Sequence, residues 1–452
     1  MLATGARAGD HILYDFAGTP DGATAADTLV ADTYGNLYGT TVDGGAYGYG
    51  TVYVMCAPLP STSLDILPCV AGSATWTENV LYSFKGVAGS DGANPYGTLI
   101  FNGLYAARAF TLYGTTYYGG VSATGTVCTT SPNTGCGTVF ELCAPLTSGG
   151  CGPTSGGWSE KVLHAFAGGT DGAYPYGGVI SDKTSDLYGT TVYGGHLGTC
   201  LIGTVNAYCG TAFRVKPNST FSTWTETIMH KFKGGVDGAN PYAALCCNTI
   251  SSNPFFYGTT LRGGTPTGGG PGNAGVVFKL QNVAGYPETI LYDFCNLLGC
   301  PDGGHPYANV IFDASSNMYG TTAYFGNYAH GTAYKLTPPA YTAETVLYSF
   351  CMLGVGCPDG ATPLAGLTLD SANNLYGTTD LGGVGNGEVF QLPFPAYTPA
   401  APLQAFTGGL GDGGNPWGGV IFDPAILAGT LYGATTADGS VCITCGVVYS
   451  VP

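Results

Sequence analysis

The residues best suited to chemistry are aromatic, imidazole and guanidinium side chains in predicted loops, at positions that differ between otherwise similar repeats. They are Tyr117, Tyr118, Tyr193, His196, Arg262, His305, Tyr324, Phe325, His330 and Trp417. Aromatic rings with few neighbouring charges suit stacking on sugars or other flat, neutral ligands. The alternative is that these rings only pack the loops together. Trp417, for example, occupies a repeat position that is tyrosine elsewhere, at Tyr96, Tyr176, Tyr242 and Tyr307.

The signals for catalysis are weaker. The sequence has no Gly-x-Ser-x-Gly nucleophile elbow. A carboxylate pair for glycoside hydrolysis could come from the loop residues Asp43, Asp380 and Asp438. A general base for a lyase-type reaction could come from His196, His305 or His330. We therefore assign no catalytic residue, no metal ligand and no cofactor from the sequence.

Most other acidic residues recur with the repeat, which favours structural roles. An Asp-Gly-x-x-Pro motif, degenerate in its first copy, contains Asp21, Asp91, Asp171, Asp237, Asp302, Asp359 and Asp412. Calcium needs several oxygen ligands around each ion, and each such loop offers one carboxylate. We therefore expect these aspartates to cap turns through backbone N–H groups. His164 and His230 replace a recurrent tyrosine, and we expect structural roles for them as well.

The elements that position these residues follow from an internal repeat. Seven near-copies of Leu-Tyr-Gly-Thr-Thr are centred on Gly39, Gly114, Gly189, Gly258, Gly320, Gly377 and Gly433. The spacing of these glycines falls from 75 to 56 residues along the chain. A repeat of this kind indicates one supersecondary unit used many times.

Each unit contains four β-like runs separated by clusters of Gly, Asn, Asp and Pro. Four antiparallel strands per unit, seven units and no helical periodicity predict an all-β, seven-bladed β-propeller. A β-solenoid is the alternative, but its rungs are shorter and more uniform. The chain opens on a run of the fourth type, 11–16, and closes on one of the third type, 446–451. We thus predict one domain over 1–452, with blade 7 formed by about 416–452 plus 11–16, which removes the open edge of the ring.

Composition excludes several partners. The 452 residues carry 12 Lys and Arg against 28 Asp and Glu, a formal charge of −16. This charge disfavours nucleic acid and anionic membranes, whose phosphates attract basic patches. No apolar stretch approaches the roughly 20 residues of a spanning helix.

The 16 cysteines indicate an oxidising compartment, because they fall into neighbouring pairs. The predicted disulfides join Cys56 to Cys69, Cys128 to Cys136, Cys143 to Cys151, Cys200 to Cys209, Cys295 to Cys300, Cys351 to Cys357 and Cys442 to Cys445. Cys246 and Cys247 are adjacent, and their state is left open. We expect a secreted or cell-surface protein. Residues 1–10 lack the apolar core of a signal peptide, so we expect a mature or trimmed form.

The repeated phrase and the strand after it, for example 187–195 followed by 210–213, resemble the GloVer tandem-repeat family of exported bacterial proteins. The resemblance covers essentially the whole chain. The resemblance implies a surface or secreted β-propeller, often with a variable C-terminal anchor, and no such anchor follows Pro452. It implies no catalytic residues. The Tyr-Gly pattern is more distantly similar to that of the streptogramin-lyase propellers, whose catalytic motif has no match here.

The sequence leaves two classes of function open. We expect a non-enzymatic exported propeller that binds carbohydrate or protein partners, or that self-assembles into a homo-oligomer or filament. The alternative is a polysaccharide- or lactone-directed lyase or hydrolase with its site at the mouth of the central channel. A loop histidine beside a loop acid would favour the enzyme, whereas seven equivalent mouths with no polar exception would favour the binding protein.

Overall fold

The computed structural model describes residues 11–58, 69, 73–86, 90–101, 111–120, 128, 135–145, 157–182, 184–195, 197–202, 205–246, 255–265, 270, 272–398, 402–409, 411–422, 429–440, 442 and 444–452. These residues form seven small antiparallel sheets arranged as the blades of a β-propeller. The predicted fold class is confirmed. Among the described residues, no helix has the length and apolar character needed to cross a membrane.

The first three blades each have four strands. Blade 1 contains Val30–Ala31, Leu37–Thr41, Thr51–Cys56 and Thr77–Ser83. Blade 2 contains Ile100–Phe101, Thr111–Thr116, Thr138–Cys143 and Ser159–Ala165. Blade 3 contains Ile180–Ser181, Leu187–Thr191, Thr211–Pro217 and Trp224–Lys231. A further hairpin between the second and third strands of blade 3 is formed by Leu197–Ile202 and Val205–Tyr208.

Blades 4 to 6 follow the same plan with local departures. Blade 4 contains Phe255–Thr260, Val276–Gln281 and Glu288–Asp293, and a single bridge between Cys246 and Tyr257 stands in for its first strand. Blade 5 contains Ile311–Phe312, Met318–Thr322, Thr332–Leu336 and Glu344–Ser349. Blade 6 contains Thr368–Leu369, Leu375–Thr379, Asn386–Leu392 and Gln404–Ala405. Short pairs at the loops include Gly22–Ala23 with Asp43–Gly44, and Gly92–Ala93 with Tyr118–Gly119.

Blade 7 joins the two ends of the chain. Its first three strands are Ile421–Phe422, Leu431–Ala434 and Val447–Val451. Its fourth strand is His11–Asp15, which pairs antiparallel with Val447–Val451. The predicted N-terminal clasp is therefore present, and it gives the last blade a fourth strand like those of its neighbours.

The repeated phrase forms the second strand of each blade, and its glycine has a packing reason. In blade 4 a Cβ atom on Gly258 would lie 2.5 Å from Cζ of Phe278 on the third strand. The same approach occurs in the other blades, where Tyr53, Phe140, Phe213, Tyr334, Phe390 and Tyr449 cover the equivalent glycines. Every one of these rings is at most 4% exposed. The glycine is thus conserved across repeats because the aromatic ring needs the space of a side chain.

The same third-strand ring joins each blade to the one before it. A phenylalanine just after the fourth strand of the preceding blade meets it edge to face, as Phe232 meets Phe278 with centroids 5.1 Å apart. The equivalent pairs are Phe16 with Tyr53, Phe84 with Phe140, Phe166 with Phe213, Phe294 with Tyr334, Phe350 with Phe390 and Phe406 with Tyr449. Edge-to-face geometry is favoured by the ring quadrupole. All seven seams between blades therefore use one interaction.

The first threonine of the phrase adds a hydrogen bond across most seams. The hydroxyl of Thr190, for example, donates to the carbonyl of Ala243 in the next blade at 2.7 Å. Thr115, Thr259, Thr321 and Thr378 donate in the same way to Gly177, Ala308, Ala365 and Gly418. These carbonyls encircle the central channel. The bonds therefore fix the inner backbone of each blade against its neighbour.

The recurrent aspartates cap turns, as predicted. Asp91 Oδ2 accepts from the Tyr82 hydroxyl at 2.7 Å and from the Lys85 backbone N–H at 3.0 Å. In blade 3 the tyrosine is replaced by His230, whose Nε2 lies 3.2 Å from Asp237 Oδ2. The histidine thus stands in for the tyrosine hydroxyl in the same contact.

Six disulfides lie within the described residues, all between predicted partners. They join Cys56 to Cys69, Cys128 to Cys136, Cys200 to Cys209, Cys295 to Cys300, Cys351 to Cys357 and Cys442 to Cys445. Cys143 and Cys246 are also disulfide-bonded. Cys151, the predicted partner of Cys143, and Cys247 lie outside the described residues.

Replacing Gly258 with alanine should destabilise the protein by about 1–3 kcal/mol, because the added methyl group forces the Phe278 ring out of its seam contact. Urea unfolding followed by circular dichroism measures this loss. Gly157→Ala is the control, since a Cβ there meets no atom of the described residues within 4 Å. Equal stability of the two variants would contradict the packing role of the glycine.

Glutamates at the blade edges make stability depend on pH. Burial raises the pKa of Glu344 from 4.5 to about 8, and the Asp302 carboxylate reinforces the shift. Burial also raises the pKa of Glu78, Glu160, Glu226, Glu288 and Glu388. A carboxyl group with a raised pKa stabilises the fold most while protonated, below its unfolded pKa. That contribution is lost as the pH rises through the folded value.

We expect the thermal midpoint to fall between pH 5 and pH 9, and Glu344→Gln to recover part of the loss at pH 9, because glutamine resembles the protonated acid. Scanning calorimetry at both pH values checks this. Asp313→Asn provides the contrast. Burial alone would raise the pKa of Asp313, but hydrogen bonds from Asn317 and Tyr319 outweigh this effect and lower the pKa. The ionised carboxylate therefore stabilises the fold, and its loss should destabilise the protein at both pH values. A midpoint that rises from pH 5 to pH 9 would contradict the expectation.

Candidate functional site

One face of the propeller gathers most of the predicted ligand-binding residues. It is built from the Asp-Gly-x-x-Pro loops that connect the blades and from the loops between the second and third strands of each blade. The Asp-Gly loops pair with the second-to-third loops, as at Ala239 with Arg262 and Gly304 with Tyr324. Loops from neighbouring blades therefore come together on this face, which we call the loop face.

A continuous group of rings covers blades 2 to 5 of the loop face. Tyr117 stacks on Tyr174 with centroids 4.9 Å apart, and Tyr96 stacks on Tyr176 at 4.7 Å. We call the tyrosine cluster the set Tyr96, Tyr117, Tyr118, Tyr174, Tyr176, Tyr193, Tyr242 and Tyr307, each in ring contact with another member. Burial raises the pKa of Tyr96 to about 12. The hydroxyl is therefore neutral at physiological pH and can both donate and accept hydrogen bonds.

The sequence predicted only Tyr117, Tyr118 and Tyr193 of this cluster. Tyr96, Tyr176, Tyr242 and Tyr307 recur at one position of the repeat, which in the sequence alone favours loop packing. Their repetition is the signal that sequence reasoning undervalued: the residue after the loop proline points a ring to the channel mouth in blade after blade. Because the blades form a closed ring, one repeated position brings several tyrosine side chains together at the channel mouth.

A separate cavity opens between blades 4 and 5 and brings together four predicted residues. It has a volume of about 380 Å³ and is lined by Leu261, Arg262, His305, Tyr307, Tyr324, Phe325 and Ala329. We call it the Arg262 cavity. The Tyr324 side chain is 44% exposed, so the cavity is open to solvent on that side. Tyr307 belongs to both features and joins the cavity to the tyrosine cluster.

His305 has a fixed orientation in this cavity. Its Nδ1 lies 2.8 Å from the Leu261 carbonyl oxygen, so Nδ1 carries the proton and donates. The ring stacks on Phe325 at 5.5 Å and meets Tyr324 edge to face. Burial lowers the pKa of His305, and the nearby Arg262 charge lowers it further. The imidazole is therefore neutral at physiological pH, with a lone pair on Nε2.

The repeat explains how a histidine fits there. Asn94, Asn240 and Asn415 occupy the same loop position, and each donates its side-chain N–H to a carbonyl of the adjoining loop at 2.9–3.0 Å. All share a left-handed backbone, with φ of 57° at His305 against 55° at Asn94. Asparagine tolerates this conformation well, and histidine also adopts it. His305 thus keeps the structural bond through Nδ1 and adds an imidazole to the cavity.

His305→Asn should therefore fold with a stability within about 0.5 kcal/mol of the parent chain, since asparagine makes this bond elsewhere in the ring. His305→Ala should lose about 1 kcal/mol or more, because the Leu261 carbonyl loses its donor. Urea unfolding of the two variants separates them. If both lost the same stability, the shared role of histidine and asparagine would be wrong.

The remaining predicted residues lie elsewhere or outside the described residues. Trp417 lines the channel mouth and donates its indole N–H to Asp380 at 2.9 Å. His330 lies beside the Cys351–Cys357 disulfide and is not among the residues that line the Arg262 cavity. His196 lies outside the described residues.

The loop carboxylates Asp43, Asp380 and Asp438 hold loops together. Each accepts a hydrogen bond from a different asparagine side chain, respectively Asn94, Asn415 and Asn386. In each pair the hydrogen bond joins segments of two neighbouring blades. This arrangement accounts for these carboxylates without a hydrolytic role.

One cluster has the residue types of a metal site. His230, Asp237 and Glu288 place ligand atoms within 4.8 Å of one another. In the next seam the equivalent positions are Tyr292, Asp302 and Glu344, which lack a nitrogen ligand. The cluster is thus one version of a recurrent blade-edge contact, which favours a structural role.

The central channel holds one residue that the sequence reasoning missed. A cavity of about 290 Å³ runs into the channel and is lined by the inner ends of the blades, among them Asp27, Tyr96, Tyr176, Tyr242 and Trp417. Asp27 is 2% exposed, and at its position the other repeats have only glycine or alanine. Aligning the seven loops by their Asp-Gly pairs would have revealed it.

Comparison with known proteins agrees with the repeat analysis. Residues 264–452 match the family described as the Gloeobacter/Verrucomicrobia repeat. The match covers 189 of the 452 residues, in the C-terminal part of the chain. The matched residues include blades 5 and 6 and the C-terminal strands of blade 7. A search of curated proteins finds no match.

Among solved structures, this chain has similar neighbours at low sequence identity. PorZ, a bacterial surface component of the type-IX secretion system of Porphyromonas gingivalis, is 14% identical, with 98% of this chain and 48% of PorZ covered and a TM-score of 0.46. A PL25 ulvan lyase is 8% identical, with 97% and 95% covered and a TM-score of 0.43. A gluconolactonase from Xanthomonas campestris is 15% identical, with 65% and 75% covered and a TM-score of 0.34. At these scores the likenesses do not extend to function.

Proposed function

We propose that the protein is an exported or cell-surface β-propeller whose loop face binds carbohydrate, with acidic polysaccharides as the preferred class. The observation that carries the proposal is the Arg262 cavity, where a guanidinium group, an imidazole and three aromatic rings surround a space of about 380 Å³. Export is supported by the six disulfides, which are typical of proteins that mature in an oxidising compartment.

The chemistry of the cavity suits a sugar acid. Aromatic rings such as Tyr324 and Phe325 offer apolar faces to the C–H surface of a pyranose. Tyrosine hydroxyls and the imidazole can hydrogen-bond to sugar hydroxyls. The planar guanidinium of Arg262 matches a carboxylate in charge and geometry.

The charge of the whole protein strengthens the argument for a specific anion site. The chain carries a formal charge of −16, so its general field repels polyanions. Of the described residues that line the cavity, Arg262 is the one Lys or Arg, and His305 beside it is neutral. An acidic sugar would therefore be attracted only at short range, at Arg262 itself.

The tyrosine cluster extends this surface beyond one sugar. It contacts the cavity through Tyr307 and continues through Tyr242 and Tyr176 toward Tyr96. A polymer anchored at Arg262 can thus meet further rings along the loop face. We expect affinity to rise with chain length for this reason.

The test compares an oligogalacturonate with a neutral glucan of the same length by isothermal titration calorimetry. We expect the parent protein to bind the oligogalacturonate and to bind the glucan at least tenfold more weakly. Arg262→Gln should weaken oligogalacturonate binding at least tenfold, the usual scale for a lost charge-assisted contact. Tyr324→Ala should weaken it several-fold, since an exposed ring face is removed.

Tyr34→Ala is the matched control, because Tyr34 is 51% exposed and lies in the turn between the first and second strands, away from the loop face. It should bind like the parent protein. Unchanged binding by Arg262→Gln would overturn the assignment of the cavity. Failure of both polymers to bind would overturn the carbohydrate proposal and leave a protein partner or self-assembly, which light scattering of the purified protein distinguishes.

A lyase is the second candidate, and His305 favours it. A polysaccharide lyase removes the proton at C5 of a uronate, forms a C4–C5 double bond and expels the C4 oxygen, which takes up a proton. His305 offers a neutral Nε2 to accept the C5 proton. Arg262 can neutralise the uronate carboxylate, and Tyr324 can protonate the leaving oxygen.

The same oligogalacturonate experiment decides between binding and cleavage. A lyase releases unsaturated ends, which absorb in the ultraviolet. His305→Asn should then abolish their release while changing affinity only a few-fold, because asparagine keeps the loop bond. Binding without product would make the protein a non-enzymatic binding module.

A further inference from the structure

Asp27 departs from the repeat at a position where neighbouring blades lie close together. The residues at its position in the other six blades are Gly97, Gly177, Ala243, Ala308, Ala365 and Gly418. Small residues are needed there because neighbouring blades approach closely: a Cβ on Gly177 would lie 2.4 Å from the backbone nitrogen of Ala244. A carboxylate at this position is therefore an exception that packing alone does not favour.

Within the described residues, only one of the two carboxyl oxygens of Asp27 has a hydrogen-bond partner. Its Oδ2 accepts a hydrogen bond from the Thr40 backbone N–H at 3.1 Å. Its Oδ1 is buried and has no hydrogen-bond partner in the part of the chain that the structure describes. Asp27 is 2% exposed and lies on the wall of the channel cavity. Buried polar groups in native proteins are nearly always paired, so an exception of this kind calls for an explanation.

The threonine contact between blades 1 and 2 also differs from its equivalents in the other blades. In five other seams the threonine hydroxyl reaches the next blade at 2.7–2.9 Å. Thr40 instead reaches the Pro95 carbonyl at 3.4 Å, two residues before the equivalent carbonyl of Gly97. Sequences keep such unfavourable residues mainly at functional sites.

We propose that Asp27 is the anionic anchor of a cation-binding site in the central channel, and that the site takes a ligand bearing an ammonium group. Among the described residues that line the channel cavity there is no Lys, Arg or His, so none of them places a cation beside the carboxylate. Burial raises the pKa of Asp27 to about 8, which reflects the cost of keeping this charge without a counter-ion. A bound cation offsets that cost.

The rest of the lining favours an organic ammonium group over a metal ion. Tyr96, Tyr176, Tyr242 and Trp417 line the same cavity, and aromatic faces attract ammonium groups. Calcium needs six to eight oxygen ligands. Five of the ring carbonyls already accept threonine hydroxyls, and the cavity offers one carboxylate. With about 290 Å³, the cavity is large enough for a small amine or an amino sugar.

The proposal is independent of the Arg262 cavity, and its test uses glucosamine and glucose, which differ at one position by an ammonium group against a hydroxyl. Binding is followed by ligand-observed NMR, with methylammonium as the smallest probe. We expect glucosamine and methylammonium to bind the parent protein and glucose to bind at least tenfold more weakly. Asp27→Asn should weaken glucosamine binding at least tenfold, whereas Asp43→Asn, which removes an exposed carboxylate of the loop face, should not change it.

Equal binding of glucosamine to Asp27→Asn and the parent protein would overturn the proposal. So would a failure of both amines to bind. Potassium and calcium chloride are tested in parallel by thermal shift. Stabilisation by either metal that depends on Asp27, without stabilisation by the amines, would overturn the assignment of the ligand class.

Stability of an Asp27→Ala variant separates a binding role from a structural one. Alanine occupies this position in blades 4, 5 and 6. We expect the thermal midpoint of the variant to equal or exceed that of the parent protein, with ammonium binding lost. A marked fall in the midpoint would show that the fold needs the carboxylate, and the proposal would be wrong. Because Asp27→Asn leaves the Arg262 cavity unchanged, this outcome is separate from that of the carbohydrate experiment.

Discussion

The architecture depends on one edge-to-face aromatic pair that recurs at every seam of the ring. A phenylalanine that follows the fourth strand of one blade packs against the third-strand ring of the next, with centroids 5.0–5.2 Å apart in all seven seams. That third-strand ring lies over the glycine of the repeated phrase. Strand spacing and seam geometry are therefore fixed by the same side chain. The channel and the loop face take their positions from it.

A propeller whose blades are joined by these aromatic pairs tolerates substitutions at positions outside the pairs. At His305 the repeat asparagine is replaced without losing the bond to the adjoining loop, because Nδ1 replaces the amide nitrogen. At Asp27 the replacement is unfavourable, with an unpaired oxygen and a displaced threonine contact. The repeat thus provides an internal reference, since the six sister positions show what the fold alone requires. The two departures differ in their local contacts: His305 keeps the bond of the repeat, whereas Asp27 has an unpaired oxygen among the described residues.

Much of the fold could be predicted because it rests on local and periodic signals. Glycine, proline and aspartate mark the turns, and the strand order predicted the clasp between His11–Asp15 and Val447–Val451. Neighbouring cysteines predicted their own pairing. The candidate site was predicted less completely. Arg262, His305, Tyr324 and Phe325 were named and lie together, whereas His330 lies beside a disulfide instead. Asp27 escapes prediction because the usual sequence signals of a binding site are loop aromatics and histidines, whereas the equivalent positions of the other blades hold only glycine or alanine.

By itself, the sequence determined the seven units, their four strands, the closure of the ring and the residue types at each loop, since these depend on turn chemistry and hydrophobic pattern. Only the tertiary structure decided which loops meet. Arg262 and His305 belong to different loops, and they share a cavity because the loops of blades 4 and 5 meet on the loop face. The burial of Asp27 is likewise a property of the closed ring, in which the inner ends of neighbouring blades surround a residue that a single blade would expose.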